Sequence, residues 1–176
     1  MSNLNNSKWI RITAIDVLNF ARKGLEYYSN KISDTVALKL ANYKGTLELG
    51  ISSLSDTPGH IALAGAAKEL CVTGLEELSV KAAEALAARK QQSFHFYSMK
   101  TLAADTATAL SKFKGEELRF DELTTLSADA AKNLAKYKGS LLIFGSLSDE
   151  AIVSLANKKG YLCLNITSEK AVKALA

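Results

Sequence analysis

Proline is nearly missing from this sequence, with Pro58 alone among 176 residues. That scarcity argues against the proline-rich and low-complexity segments that resist folding. Cysteine is almost as rare: Cys71 and Cys163 are too few for a disulfide framework, and both are expected as free thiols. No apolar run approaches the roughly eighteen residues that a membrane-spanning helix needs, so no membrane partner is expected. Residues 1–8, Met-Ser-Asn-Leu-Asn-Asn-Ser-Lys, carry neither the basic head nor the apolar stretch of a signal peptide. A cytoplasmic location is the default expectation, and secretion as an effector without a cleavable signal is the alternative. Phosphate loops, metal-spaced cysteine sets and paired catalytic carboxylates are also missing, so neither an enzyme nor a cofactor or metal site is expected. What remains is a 48% hydrophobic, 23% charged chain with 22 basic and 18 acidic residues, the composition of a folded soluble protein.

The dominant signal is internal repetition. An apolar residue followed by serine recurs at Ile32-Ser33, Leu54-Ser55, Leu78-Ser79, Leu126-Ser127 and Leu147-Ser148, with Leu102-Ala103 between the third and fourth, at spacings of 21 to 24 residues. Lys-Gly pairs at 23–24, 44–45, 114–115, 138–139 and 159–160 run beside these anchors, four of the glycines 13 residues after theirs. Ile12-Thr13 and Thr167-Ser168 extend the pattern weakly at both ends. Between serine and glycine, pairs such as Ala37/Leu40, Ala83/Leu86, Ala107/Leu110, Ala131/Leu134, Ile152/Leu155 and Val172/Leu175 share one helix face. The serine is the expected N-cap, the glycine the expected left-handed helix stop, and the lysine before it complements the C-terminal dipole. After each glycine a short alternating segment predicts a strand, with Leu25/Tyr27, Leu47/Leu49, Leu70/Val72, Phe94/Phe96, Leu118/Phe120, Leu141/Ile143 and Leu162/Leu164 pointing inward. A further apolar residue, at Ile51, Leu75, Met99 and Leu123, turns the chain toward the next helix. The expected organisation is one repeat domain, 1–176, with units at 9–24, 25–45, 46–69, 70–92, 93–115, 116–139 and 140–160 and a partial unit at 161–176. One unit alone cannot offset its ordering entropy, so stability must come from stacking on neighbours.

Leu126-Ser127-Ala128-Asp129-Ala130-Ala131-Lys132-Asn133-Leu134-Ala135-Lys136-Tyr137-Lys138-Gly139 shows the unit in full, and on it the chain resembles the leucine-rich-repeat superfamily, in a bacterial variant reading Leu-Ser-x-x-Ala-Ala-x-x-Leu-Ala-x-x-Lys-Gly. The resemblance covers about Trp9 to Ala176 and implies a right-handed α/β repeat solenoid: a parallel sheet on the concave face, helices on the convex face, and a protein-binding role. Three features depart from the pattern. The asparagine usual after the strand is replaced by serine, glycine or threonine. Pro58-Gly59 and Ala64-Gly65 predict a short or distorted second helix, with His60 in a loop or at the surface. The chain stops at Ala176 in a helical stretch without a polar capping repeat, which points to a fragment, a deletion form or an end covered by a partner. At the other end Trp9 is expected to cover the first apolar layer.

In such an array, function sits on whatever varies along the exposed strand face. The outward row is Glu26, Glu48, Cys71, His95, Arg119, Leu142 and Cys163, followed by Tyr28, Gly50, Thr73, Tyr97, Asp121, Phe144 and Asn165. Tyr28, Tyr97, Arg119 and Phe144 are candidate anchors of a recognition stripe that includes Glu48, Cys71, His95 and Asp121, since aromatic residues and arginine dominate binding hot spots. The bland alternative is a solvated sheet face with scattered apolar residues. Cys71 and His95 fall at equivalent positions on successive strands, where an activated nucleophile or half a metal site could form, although no nucleophile turn or oxyanion loop accompanies them. Cys71 and Cys163 lie four repeats apart, roughly 19 Å at strand spacing, which excludes a disulfide between them. A pI of 9.0 raises nucleic acid as a partner, but the lysines are spread over helix ends and no arginine-aromatic cluster appears, so a protein partner is favoured. Self-association through an open parallel edge at Leu162–Asn165 is the other interaction mode expected.

Overall fold

Each leucine-serine anchor is followed by a helix and each Lys-Gly turn by a strand, and the pairing of these elements builds an α/β fold of short parallel strands. The computed structural model describes residues 25–28, 31–66, 69–169 and 172–173, without the side chains of 25–28 and 66; Trp9, Ile12-Thr13, Lys23-Gly24 and Leu175 lie outside the described residues. The main strands are β1 (Leu25–Tyr28), β2 (Thr46–Gly50), β4 (Glu69–Val72), β6 (Ser93–Phe96), β8 (Glu117–Phe120), β10 (Ser140–Ser146) and β11 (Leu162–Asn165). Between them lie the two-residue strands β3 (Ser53–Leu54), β5 (Glu77–Leu78), β7 (Thr101–Leu102) and β9 (Thr125–Leu126). The helices are α1 (Asp34–Ala41), α2 (Pro58–Ala66), α3 (Val80–Ala87), α4 (Ala104–Leu110), α5 (Ala128–Leu134) and α6 (Asp149–Leu155). The two-residue strands contain the anchor leucines, so the anchor does more than lead a helix: it makes a second parallel ladder, with Leu54 opposite Leu78 and Leu102 opposite Leu126.

Pairing follows the repeat. Leu47 sits opposite Leu25 and Leu70, and Leu118 opposite Phe94 and Leu141, all in parallel register. The expected inward residues are buried on β2, β6, β8 and β10, and Ile51, Leu75, Met99 and Leu123 are buried behind them. The helical pairs from Ala37/Leu40 to Ile152/Leu155 are buried against the same core, whereas Val172 is exposed. Ser33, Ser79, Ser127 and Ser148 cap their helices by accepting from the amides of Val36, Ala82, Ala130 and Ala151, the geometry that satisfies a free first-turn donor. Ala103 leaves α4 without a side-chain cap.

Four expectations are corrected. Ser55 does not cap the second helix, which begins at Pro58; its amide donates to His60 Nδ1 instead. The second helix is regular, and at nine residues α2 exceeds the seven or eight of the others. Pro58 occupies its first position, where a missing amide costs nothing. Gly59 permits close approach to α1: a Cβ there would collide with the Asp34 carbonyl, and its amide donates to Asp34 Oδ1 at 2.6 Å. His60 is buried within this helix, accepting at Nδ1 from the Ser55 amide (3.0 Å) and donating from Nε2 to the Ile32 carbonyl (3.2 Å). Among the described residues only Gly160 has a left-handed backbone, with φ 87°. Gly45, Gly115 and Gly139 answer a steric demand instead, because the ring two residues earlier (Tyr43, Phe113, Tyr137) folds onto each and leaves no room for a Cβ.

That ring position, eleven past the anchor, fastens successive units. Tyr137 Oη donates to the Gly115 carbonyl at 2.8 Å, and Lys158, the equivalent residue one unit later, donates to the Gly139 carbonyl at 2.7 Å and to those of Tyr137 and Lys159. Arg89, at the same position, donates to the Ala64 carbonyl at 3.1 Å. Burial lowers the pKa of both cations, and it pushes the Tyr137 hydroxyl up to about 12, with Glu117 and Glu116 adding to the rise.

Candidate functional site

Alternation along a strand dictates which side chains leave the core, and on β8 it turns Glu117, Arg119 and, just beyond, Asp121 outward, each half-buried. On β6 it exposes His95, with Tyr97 following. Parallel pairing then sets His95 beside Arg119 and Arg119 beside Leu142. Beneath this face the inward side chains are aromatic, with Phe96 stacked on Phe120 at 4.9 Å between centroids and Phe94 against Phe113 at 5.0 Å. Large rings in contact have few alternative rotamers, so the sheet under the site is stiff.

The outward side chains form two connected chains. His95 Nε2 donates to Glu117 Oε1 at 3.1 Å, and its Nδ1 faces the Tyr97 hydroxyl at 3.3 Å. Arg119 Nε donates to Asp121 Oδ1 at 2.7 Å, while its guanidinium lies 4.8 Å from the Phe144 ring centre. The Asp121 hydrogen bond, reinforced by the charges of Asp121, Tyr97 and Glu117, raises the Arg119 pKa and keeps the guanidinium fully charged. Tyr97 and Phe144 are 38% and 39% exposed, open enough to meet a partner.

The other expected residues lie apart from this patch. Glu48 and Cys71 are paired on the sheet β1–β2–β4, whereas His95, Arg119, Asp121 and Phe144 belong to or flank the sheet β6–β8–β10–β11. Tyr28 stands opposite Gly50 in backbone register, and its side chain lies outside the described residues. Cys71 and His95 were expected on neighbouring strands, but β4 and β6 share no ladder. Both His95 nitrogens are engaged elsewhere, and the Cys71 thiol pKa is raised by burial first and by Glu48 second, the opposite of what a reactive thiolate needs. Both cysteines are free.

Two residues of this region escaped the sequence pattern. Glu117 is two positions before Arg119 and could have been found by carrying the alternation one step back. Gln91 sits in a turn, and its role depends on a neighbour 21 residues away that no local pattern reveals. No helix among the described residues is long and apolar enough to cross a membrane, and none of their His, Cys, Asp and Glu side chains gather in a group of three that could hold a metal. Set against known proteins, the chain matches no family model, no curated protein and no solved structure.

Proposed function

We propose that the chain is a leucine-rich-repeat-like solenoid, with its main strands on the concave face and its helices on the convex face, and that it acts as a protein-interaction module through the strand face. The observation that carries this is the mutual restraint of Tyr97, His95 and Glu117 on one side and of Asp121, Arg119 and Phe144 on the other. Immobilising a long side chain on binding costs roughly 0.5–1.5 kcal/mol, so side chains already held by neighbours lose less when a partner arrives. Aromatic residues and arginine are also the types that carry binding energy. The exposed lysines lie mostly on helix ends away from this patch, which favours a protein over nucleic acid.

The test compares wild type with a Tyr97→Ala/Arg119→Glu double variant and a helix-side Lys132→Glu control, all checked for equal folding by circular dichroism. Each is used to capture partners, and any partner found is then purified and titrated against all three. Binding lost by the strand-face variant alone, by more than about 2 kcal/mol, supports the proposal; equal binding by all three sinks it. Self-association is the second reading, favoured by the 62% exposure of Tyr161 beside the half-exposed Leu162, Cys163 and Leu164 of β11. Sedimentation equilibrium of wild type and a Leu164→Lys variant would separate it, since only an edge-mediated oligomer would dissociate.

A further inference from the structure

Successive main strands pair throughout the described residues except at one junction, between β4 and β6. The short ladder breaks at the same place, since β3 pairs with β5 and β7 with β9 but β5 does not pair with β7. On the helix side the junction stays closed: α3 packs on α4, and Thr106 Oγ1 donates to the Leu78 carbonyl at 3.3 Å. The two sheets therefore part between β4 and β6, and just past these strands the Ser98 hydroxyl donates across the gap to the Thr73 carbonyl at 3.2 Å.

Gln91 is the wedge. Its Oε1 accepts from the Leu70 amide (3.3 Å), and its Nε2 donates to the carbonyls of Leu70 (3.2 Å) and Ser93 (2.8 Å). Arg89 Nη2 braces the same Oε1 at 3.2 Å. A side-chain amide thus takes the two bonds that a neighbouring strand's peptide groups would make with Leu70. In a parallel strand the peptide groups of alternate residues face the same side. If Leu70 and Ser93 face the gap, so do Val72 and His95, and no backbone hydrogen bond joins β4 to β6 at that level.

Next to Gln91 opens a cavity of about 240 Å³, lined by Val72, Leu75 and Phe94 among apolar residues and by Gln91, Cys71 and His95 among polar ones. An apolar cavity of roughly 150 Å³ already admits benzene, so this one holds a ring with a small substituent. We propose that this cavity binds a small planar molecule that joins an apolar ring to an amide. The ring fills the space between Val72, Leu75 and Phe94, and the amide repeats, on the peptide groups of Val72 and His95, the pairing that Gln91 makes with Leu70 and Ser93. This activity is separate from partner docking on the strand face and stands or falls without it.

The probes are benzamide, with toluene supplying the ring alone and acetamide the amide alone, titrated into the ¹⁵N-labelled chain while amide shifts are followed. Benzamide is expected to shift the Val72 and His95 amides saturably and to slow maleimide labelling of Cys71. Toluene should bind roughly three- to tenfold more weakly, the share of one net hydrogen bond, and acetamide should give no saturation. Val72→Trp, which fills the cavity from a half-buried strand position, should abolish the benzamide shifts while the circular dichroism spectrum is kept. Benzamide without saturable shifts, or with shifts that persist in a folded Val72→Trp chain, overturns the proposal. Should Val72→Trp not fold, the wild-type probes decide: acetamide matching benzamide, or Cys71 labelling unslowed, overturns it equally.

Discussion

The sheets on either side of the β4–β6 junction use one backbone pattern and two kinds of filling. In β1–β2–β4 the described inward side chains are aliphatic, as with Leu47, Leu49 and Leu70, and neighbouring units are tied by a buried imidazole, His60, and by Gly59 pressed onto Asp34. In β6–β8–β10–β11 five aromatic rings lie in contact along the core, and the ties are the Tyr137 hydroxyl and the Lys158 ammonium. The two sides are thus tied at different places in the unit as well as by different chemistry: six past the anchor for His60, eleven past it for Tyr137 and Lys158. The outward faces differ in the same sense: restrained, charged and aromatic on the second sheet, and marked on the first by Glu48 beside the thiol of Cys71.

Breaking one side should leave the other standing. The largest effect is expected for Gly59→Ala, whose Cβ meets the Asp34 backbone: a loss of about 3 kcal/mol in urea unfolding, with faster hydrogen exchange in β2 and β4 and unchanged protection in β8 and β10. Lys158→Met should cost about 2 kcal/mol, because three carbonyls lose a charged donor, and its exchange signature should be confined to β10 and β11. Uniform loss of protection in either variant would show that the two sheets unfold as one.

Alkali should also act on the second side. A tyrosine in the unfolded chain ionises near pH 10, whereas Tyr137 holds its proton up to about 12. Because the folded state then binds more protons than the unfolded state, the contribution of this hydroxyl is complete below about pH 10 and is lost as pH rises toward 12. Stability measured against pH should fall more steeply over that window in wild type than in Tyr137→Phe. The smallest effect sharpens the comparison by strengthening a unit at the junction: Ala103→Ser restores the missing cap of α4 and should raise stability by about 1 kcal/mol.

Spacing alone placed the main strands, the helices, four of the serine caps and the inward residues of β2, β6, β8 and β10, because each is set by a period of two or near 3.6 within a unit. It failed where a residue answers to its neighbour one unit away. Gly139 looks like a helix stop until the Tyr137 ring is seen lying on it. His60 looks like a loop residue because its partners, Ser55 and Ile32, are brought together only by α1 and α2 packing side by side. The outward row was legible as a row, but not its division: Cys71 and His95 are equivalent in sequence, and what separates them is the side chain of Gln91 in the turn before β6.

Tyr137 and Lys158 reach back to the same point of the preceding unit, the carbonyl of its turn glycine, one through a phenol and the other through an ammonium. The fastening belongs to the later unit and asks only for a carbonyl that every such turn presents. A later unit that carries a donor at this position therefore brings its own clasp, phenol or ammonium alike, and the turn before it already holds the eye.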